Sequence, residues 1–131
     1  MIWILSMPAN AILELYSKPE ELVSARPADI ERVLLRYIVG YCSDRMHPWI
    51  TRDAVIMQLF EAGGYAHSVQ AKAEVSRVVS RAWKSLEDRQ FIEEPDTYNG
   101  KNGYRLPSAE GRRAHDAADY MAVSARFKVC P

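Results

Sequence analysis

Phe91-Ile92-Glu93-Glu94, then the pairs Asn99-Gly100 and Asn102-Gly103, then Tyr104-Arg105-Leu106 make up the stretch on which the fold turns. Just upstream, Val75, Val78, Val79, Ala82, Trp83 and Leu86 recur at the spacing of one helix face. At Phe91 that period gives way to two short strand-like runs, at 91–94 and 104–106. The Asn-Gly pairs between them supply the positive φ angles that a hairpin tip demands. The segment therefore reads as a helix running from a Ser68 cap to about Arg89, followed by strand, turn and strand.

Two more helices precede this one. Ile30, Val33, Leu34, Tyr37, Ile38 and Tyr41 follow the i, i+3, i+4, i+7 pattern of a buried face. Pro27 suits the first turn of that helix, and Ser43-Asp44 with Pro48 end it. Pro48-Trp49-Ile50 reads as a short extended piece, able to add a third strand to a hairpin that would be marginal alone. Thr51 caps the second helix, with Ile50 and Val55 placed as a hydrophobic staple around the cap. Val55, Ile56, Leu59 and Phe60 form its apolar side, and Gly63-Gly64 stops it. After the hairpin, Ser108 caps a last helix that extends to about Arg126.

The first residues form a short helical prelude. Asn10 caps a turn through Ile12, Leu13 and Tyr16, and Ser17-Lys18-Pro19-Glu20 has the spacing of a capping box. Met1-Ile2-Trp3-Ile4-Leu5 is apolar, but it is short for a signal peptide and has no basic region before it. It reads as an extended segment packed on the domain or on a partner.

The expected fold is mainly α with a small antiparallel hairpin. It comprises an N-terminal extension (1–29) packed on the domain, a core (30–107) and a C-terminal helix (108–131). At 131 residues the chain fits one domain with a real core. Its 48% hydrophobic and 26% charged content is that of an ordinary soluble protein, and no apolar run approaches the length of a membrane span. Cys42 and Cys130 lie far apart without a CxxC partner. A disulfide is not expected, and a reducing cytoplasm is the default.

Seventeen basic residues balance seventeen acidic ones. Their distribution is uneven: residues 99–113 carry Lys101, Arg105, Arg112 and Arg113 against Glu110 alone, whereas residues 1–31 are acidic.

From Trp49 to Ala114 the chain resembles the winged-helix transcription regulators of bacteria, the broad MarR- and PadR-like group. The likeness rests on Trp49-Ile50-Thr51-Arg52-Asp53 opening the second helix and Leu86-Glu87-Asp88-Arg89-Gln90-Phe91-Ile92 closing the third. It continues through Gly103-Tyr104-Arg105-Leu106-Pro107-Ser108-Ala109-Glu110-Gly111-Arg112-Arg113. Pro107-Ser108 stands where that group has a single Thr. The resemblance implies a winged helix-turn-helix in which helix 70–89 enters the major groove of duplex DNA and the 95–104 wing lies on the backbone or minor groove.

The residues that would carry such binding are Gln70, Ala73, Glu74, Arg77, Arg81 and Lys84, opposite the core stripe of the third helix, with Lys101 and Arg105 in the wing. Arg77, Arg81 and Lys84 form a basic ridge at i, i+4, i+7. Arginine can read guanine O6 and N7 with two hydrogen bonds, and both residue types can neutralise phosphate. Gln70 suits adenine. Glu74 repels phosphate but can accept from cytosine N4. Arg112 and Arg113 open the last helix against its dipole, which hints at an anion nearby.

His47, His67 and His115 lack metal-ligand spacing, and there is no P-loop, GxSxG or GxGxxG. No metal, cofactor or catalysis is expected. In the last helix, Ala114, Ala117, Ala118, Met121, Ala122 and Ala125 permit close helix packing, on the chain itself or in a homodimer. Two other functions share the fold. One is a protein-docking module of a phage or mobile element, favoured by the neutral charge and Glu74. The other is a DNA-binding protein of replication or plasmid maintenance.

Overall fold

The computed structural model describes residues 10–43, 45–61 and 65–118. Most of them are helical, and three short strands make one antiparallel sheet. The expectations for Met1–Leu5, for the Gly63-Gly64 stop and for residues 119–126 of the last helix, Met121, Ala122 and Ala125 included, lie outside the described residues.

The prelude consists of α1 (Ala11–Leu15) and α2 (Pro19–Ser24). Asn10 caps α1 as expected, its Oδ1 accepting from the N–H groups of Ile12 and Leu13 at 3.0 and 3.1 Å. The capping box of α2 is shifted by one residue. Lys18 stands at the cap position, and Glu21 rather than Glu20 accepts from the Lys18 N–H and the Ser17 hydroxyl. Pro19 takes the first helical position, where its missing N–H costs nothing, and this fixes the register. Ile12 and Leu22 are fully buried, so the prelude is part of the core.

Helix α3 (Pro27–Ser43) buries Ile30, Val33, Leu34, Tyr37 and Ile38, and also Leu35 and Cys42. Tyr41 is only half-buried and carries the Arg45 guanidinium 3.8 Å above its ring. Burial pushes the Cys42 thiol up to about 11, as suits an inert core residue. Strand β1 (Ile50–Thr51) leads directly into α4 (Arg52–Glu61). The Thr51 hydroxyl accepts from the Ala54 N–H at 3.1 Å, and Ile50 and Val55 are both buried, as the staple requires.

A 3₁₀ turn, Val69–Ala71, precedes α5 (Lys72–Asp88). Ser68 stands before that turn, but its side chain caps nothing, because the chain takes one extra tight turn before the α-helix begins. Helix α5 packs on α3, α4 and α2 through Val75, Val78, Val79, Ala82, Trp83 and Leu86, the stripe expected from the sequence. Tyr65, in the α4–α5 connection, is the largest fully buried side chain among the described residues. Its hydroxyl donates to the Tyr16 carbonyl at 2.7 Å, tying the prelude to that connection.

Strand β3 (Tyr104–Pro107) is central, with strand order β1-β3-β2 and β2 confined to Ile92–Glu93. Ile50 pairs with Arg105 and Thr51 with Tyr104; on the other side Ile92 pairs with Pro107 and Glu93 with Leu106. The third strand expected at Pro48–Ile50 is thus present, one residue further along.

The hairpin tip departs from the sequence expectation. Its residues form a one-turn helix, α6 (Thr97–Lys101), capped by Asp96. Of the two glycines only Gly103 has positive φ, at 88°. Gly100 is buried inside the turn, where a Cβ would run into the Glu94 side chain. The Asp96 carboxylate accepts from both the backbone N–H and the side-chain amide of Asn99, each at 2.8 Å. That double acceptance makes a helical turn out of residues that read as turn formers.

Residues 109–118 are helical (α7). Ser108 caps α7, accepting from the Gly111 N–H at 3.0 Å. Of the described alanines proposed for helix packing, Ala114 packs against this chain's own core, Ala118 is half-buried beside the groove that Leu15 and Phe91 line, and Ala117 is exposed.

Candidate nucleic-acid interface

Once Val75, Val78, Val79, Ala82, Trp83 and Leu86 face inward, 100° per residue sends Ala73, Arg77, Arg81, Lys84 and Asp88 outward. Ala73, Glu74, Arg77, Arg81 and Lys84 are all exposed on α5, and Gln70 is exposed on the preceding 3₁₀ turn. The six positions expected on this helix therefore share one surface.

The cations on it differ in their surroundings. Among the described residues neither Arg77 nor Arg81 has a carboxylate within ion-pair distance. Their side chains border a crevice of about 130 Å³ that Val23, Ala25, Pro27, Ile30 and Glu31 also line, and the Glu31 carboxylate there is taken up by the Ser85 hydroxyl at 2.8 Å and by Arg89 at 3.6 Å. Lys84 is paired with Asp88 at 3.0 Å, and that hydrogen bond raises its pKa. An exposed pair of this kind is weak and yields readily to a competing anion.

The two shoulders of the ridge are unlike. Helix α2 packs against α5 and carries the exposed Glu20 and Glu21, and Glu74 is exposed on α5 itself. On the other side lie Ser76, Ser80 and Glu87, at i, i+4 and i+11, all half-buried. Ser76 and Ser80 were not singled out from the sequence. Their i, i+4 spacing beside Arg77 and Arg81 was the available signal, masked because serine is common on any helix.

The hairpin meets α5 on this serine side. Arg105 Nε donates to Glu87 Oε2 at 2.8 Å, and Nη1 donates to the carbonyl oxygens of Gly100 and Tyr104 at 3.1 and 2.8 Å. Arg105, expected as a contact residue, therefore has its Nε and Nη1 donors engaged inside the protein. Lys101 is exposed at the end of α6, and Tyr98 on the same turn is 74% exposed. Asn102 bonds back to the Tyr98 carbonyl at 3.0 Å, which further closes the tip.

Elsewhere, Arg113 at the start of α7 meets Glu110 at 3.0 Å, a local partner that accounts for its position. A groove of about 540 Å³ lies away from the ridge, lined by Leu15, Val33, Leu35, Leu86, Phe91 and Ala114 among others. Among the described residues no group of three or more His, Cys, Asp or Glu side chains is arranged to hold a metal ion, and no helix is long and apolar enough to cross a membrane. Comparison with family models, with curated proteins and with solved structures finds no match to this chain.

Proposed function

We propose that this protein is a winged helix that binds double-stranded DNA, with the exposed face of α5 in the major groove and the α6 tip on the backbone. The order α3, β1, α4, α5, β2, α6, β3 with sheet order β1-β3-β2 supports this reading, in which the β2–β3 hairpin would be the wing. The observation that carries the reading is the pairing state of Arg77 and Arg81: two exposed guanidinium groups, one helical turn apart, without an internal carboxylate among the described residues. Lys84 on the same helix and the exposed Lys101 on α6 are further cations, and the hydroxyls of Ser76 and Ser80 suit phosphate oxygens. A role as a sequence-specific transcription regulator follows from the resemblance in the Trp49–Ala114 segment, and fold alone does not assign it.

The deciding experiment is titration of the full chain against random-sequence duplex at low and moderate salt. Binding whose log K falls linearly with log salt, by about 0.9 per neutralised phosphate, is the expected result. No binding at low salt overturns the proposal. It would favour a protein-docking surface instead, a reading suited to Glu74 on the exposed face of α5 and to the balanced net charge.

A further inference from the structure

Strand β2 is two residues long, and its pairing with β3 gives the hairpin little hold on its own angle. One side chain supplies more. The Arg105 guanidinium joins three places at once: Glu87 on the last turn of α5, the Gly100 carbonyl in α6 and the Tyr104 carbonyl in its own strand. Arg105 and Glu87 keep only 19% and 29% of their side-chain exposure, so water screens the pair less than the surface pairs of this protein. Gly100, having no Cβ, lets the turn sit close over Glu94.

We infer that Arg105 and Glu87 form a strut setting the angle of the α6 tip against α5, so that Arg105 is a positioning residue for duplex binding and not a contact. The inference rests on the duplex reading above. It has an outcome that simple electrostatics opposes. Glu87 is an anion beside the proposed interface, so its neutralisation should strengthen binding to a polyanion if charge alone mattered. A strut requires the reverse.

The test compares the full chain with Glu87→Gln, Arg105→Gln and the double variant. A random duplex is titrated across a salt series, and amide hydrogen exchange is followed at Gly100, Asn102 and Gly103, whose N–H groups bond within the tip. Retained helical circular dichroism shows that each variant is folded. Glu87→Gln should weaken binding about 5- to 10-fold, as loss of a charge-assisted bond allows. The double variant should be no weaker than either single one, the salt slope should stay parental, and the three amides should exchange faster. Unchanged or tighter binding by Glu87→Gln, or unchanged exchange, overturns the strut. So does a salt slope that drops by about one unit in Arg105→Gln, the mark of a phosphate contact. Failure of the duplex reading looks different: the parent itself then shows no salt-dependent binding, while exchange at the tip still decides whether the strut orders it.

Discussion

The Ser108 hydroxyl donates to the Gln90 carbonyl at 2.6 Å, and through that bond the end of α5 is fastened to the start of α7. Gln90 lies in the left-handed region at φ 60°, the one described non-glycine residue there. Around it the Phe91 N–H bonds to Leu86 and the Gln90 N–H to Glu87, both at 2.9 Å, the two bonds of a Schellman cap. That position usually holds glycine, because an L side chain there costs about 1–2 kcal/mol. Gln90→Gly should therefore raise stability by about 0.5–1 kcal/mol, the gain being trimmed by the larger entropy of the unfolded chain. Urea denaturation with unchanged slope is the check, and a less stable variant would contradict the cap. Gln90→Val should lose more than about 1 kcal/mol, as a β-branched residue tolerates that backbone poorly.

Gly111 reverses the usual sign of a helical glycine. Gly→Ala inside a helix ordinarily gains about 1 kcal/mol, yet here a Cβ would overlap the Phe91 carbonyl oxygen. That oxygen cannot retreat freely, since it accepts the Ser108 N–H at 3.0 Å. Gly111→Ala should cost about 1–3 kcal/mol as overpacking. Ser108→Ala should cost about 2 kcal/mol, leaving the Gln90 carbonyl and the Gly111 N–H without their partner. Thermal unfolding of the two variants separates these effects from a neutral surface change.

The apolar periodicity in the sequence placed α3, α4 and α5 and most of their buried residues, because burying one helix face is enforced by every core residue at once. Thr51, Asn10 and Ser108 were found as caps because a cap is a local device, complete within four residues. The misses are non-local or competitive. Tyr65 is buried with its hydroxyl on the carbonyl of Tyr16, 49 residues earlier, and no pattern around His67 and Ser68 announces it. Asn99-Gly100 reads equally as hairpin tip or helical turn, and Asp96 decides between them by accepting twice from Asn99. Arg105 reads as one more wing cation until Glu87, 18 positions away, claims it. In the candidate interface, the outward face of α5 followed from the helix period, while the fate of each cation depended on where the hairpin returned.

Acid should loosen the tip before the domain. The two bonds from Asn99 hold the Asp96 carboxyl below its ordinary value of 3.8. A depressed folded pKa means that this stabilisation is complete above about pH 4 and disappears as pH falls through the lower folded value. The amide resonance of Asn99 should accordingly titrate below the ordinary 3.8, with exchange at Gly100 rising in step. Asp96→Asn keeps an acceptor for the backbone N–H but loses the charge, and should abolish the titration while leaving the turn largely formed. Titration at the ordinary carboxylate value would show that the cap is not formed in solution.

The decisive pair is Arg77 and Arg81 against Trp83. Trp83 is buried at 5% exposure in the core stripe of α5, so Trp83→Ala should cost about 3–5 kcal/mol of stability. Both arginines are exposed on the opposite face, where they border the crevice beside α2. Arg77→Ala and Arg81→Ala should each change stability by about 0.5 kcal/mol or less. Duplex binding should respond in the reverse order. Where an arginine meets a guanine edge, its loss should weaken the preferred site by about 1–3 kcal/mol and relax the sequence preference at one base pair. Where it meets phosphate, all duplexes should weaken alike and the salt slope should fall by about one unit. Lys84, already shared with Asp88, should behave in the phosphate manner with a smaller effect. Anisotropy titrations on specific and random duplexes, beside urea melts, read both quantities for each variant. A double Arg77→Ala, Arg81→Ala variant that folds normally and binds duplex as tightly as its parent would remove α5 from the interface, and with it the proposed mode of binding.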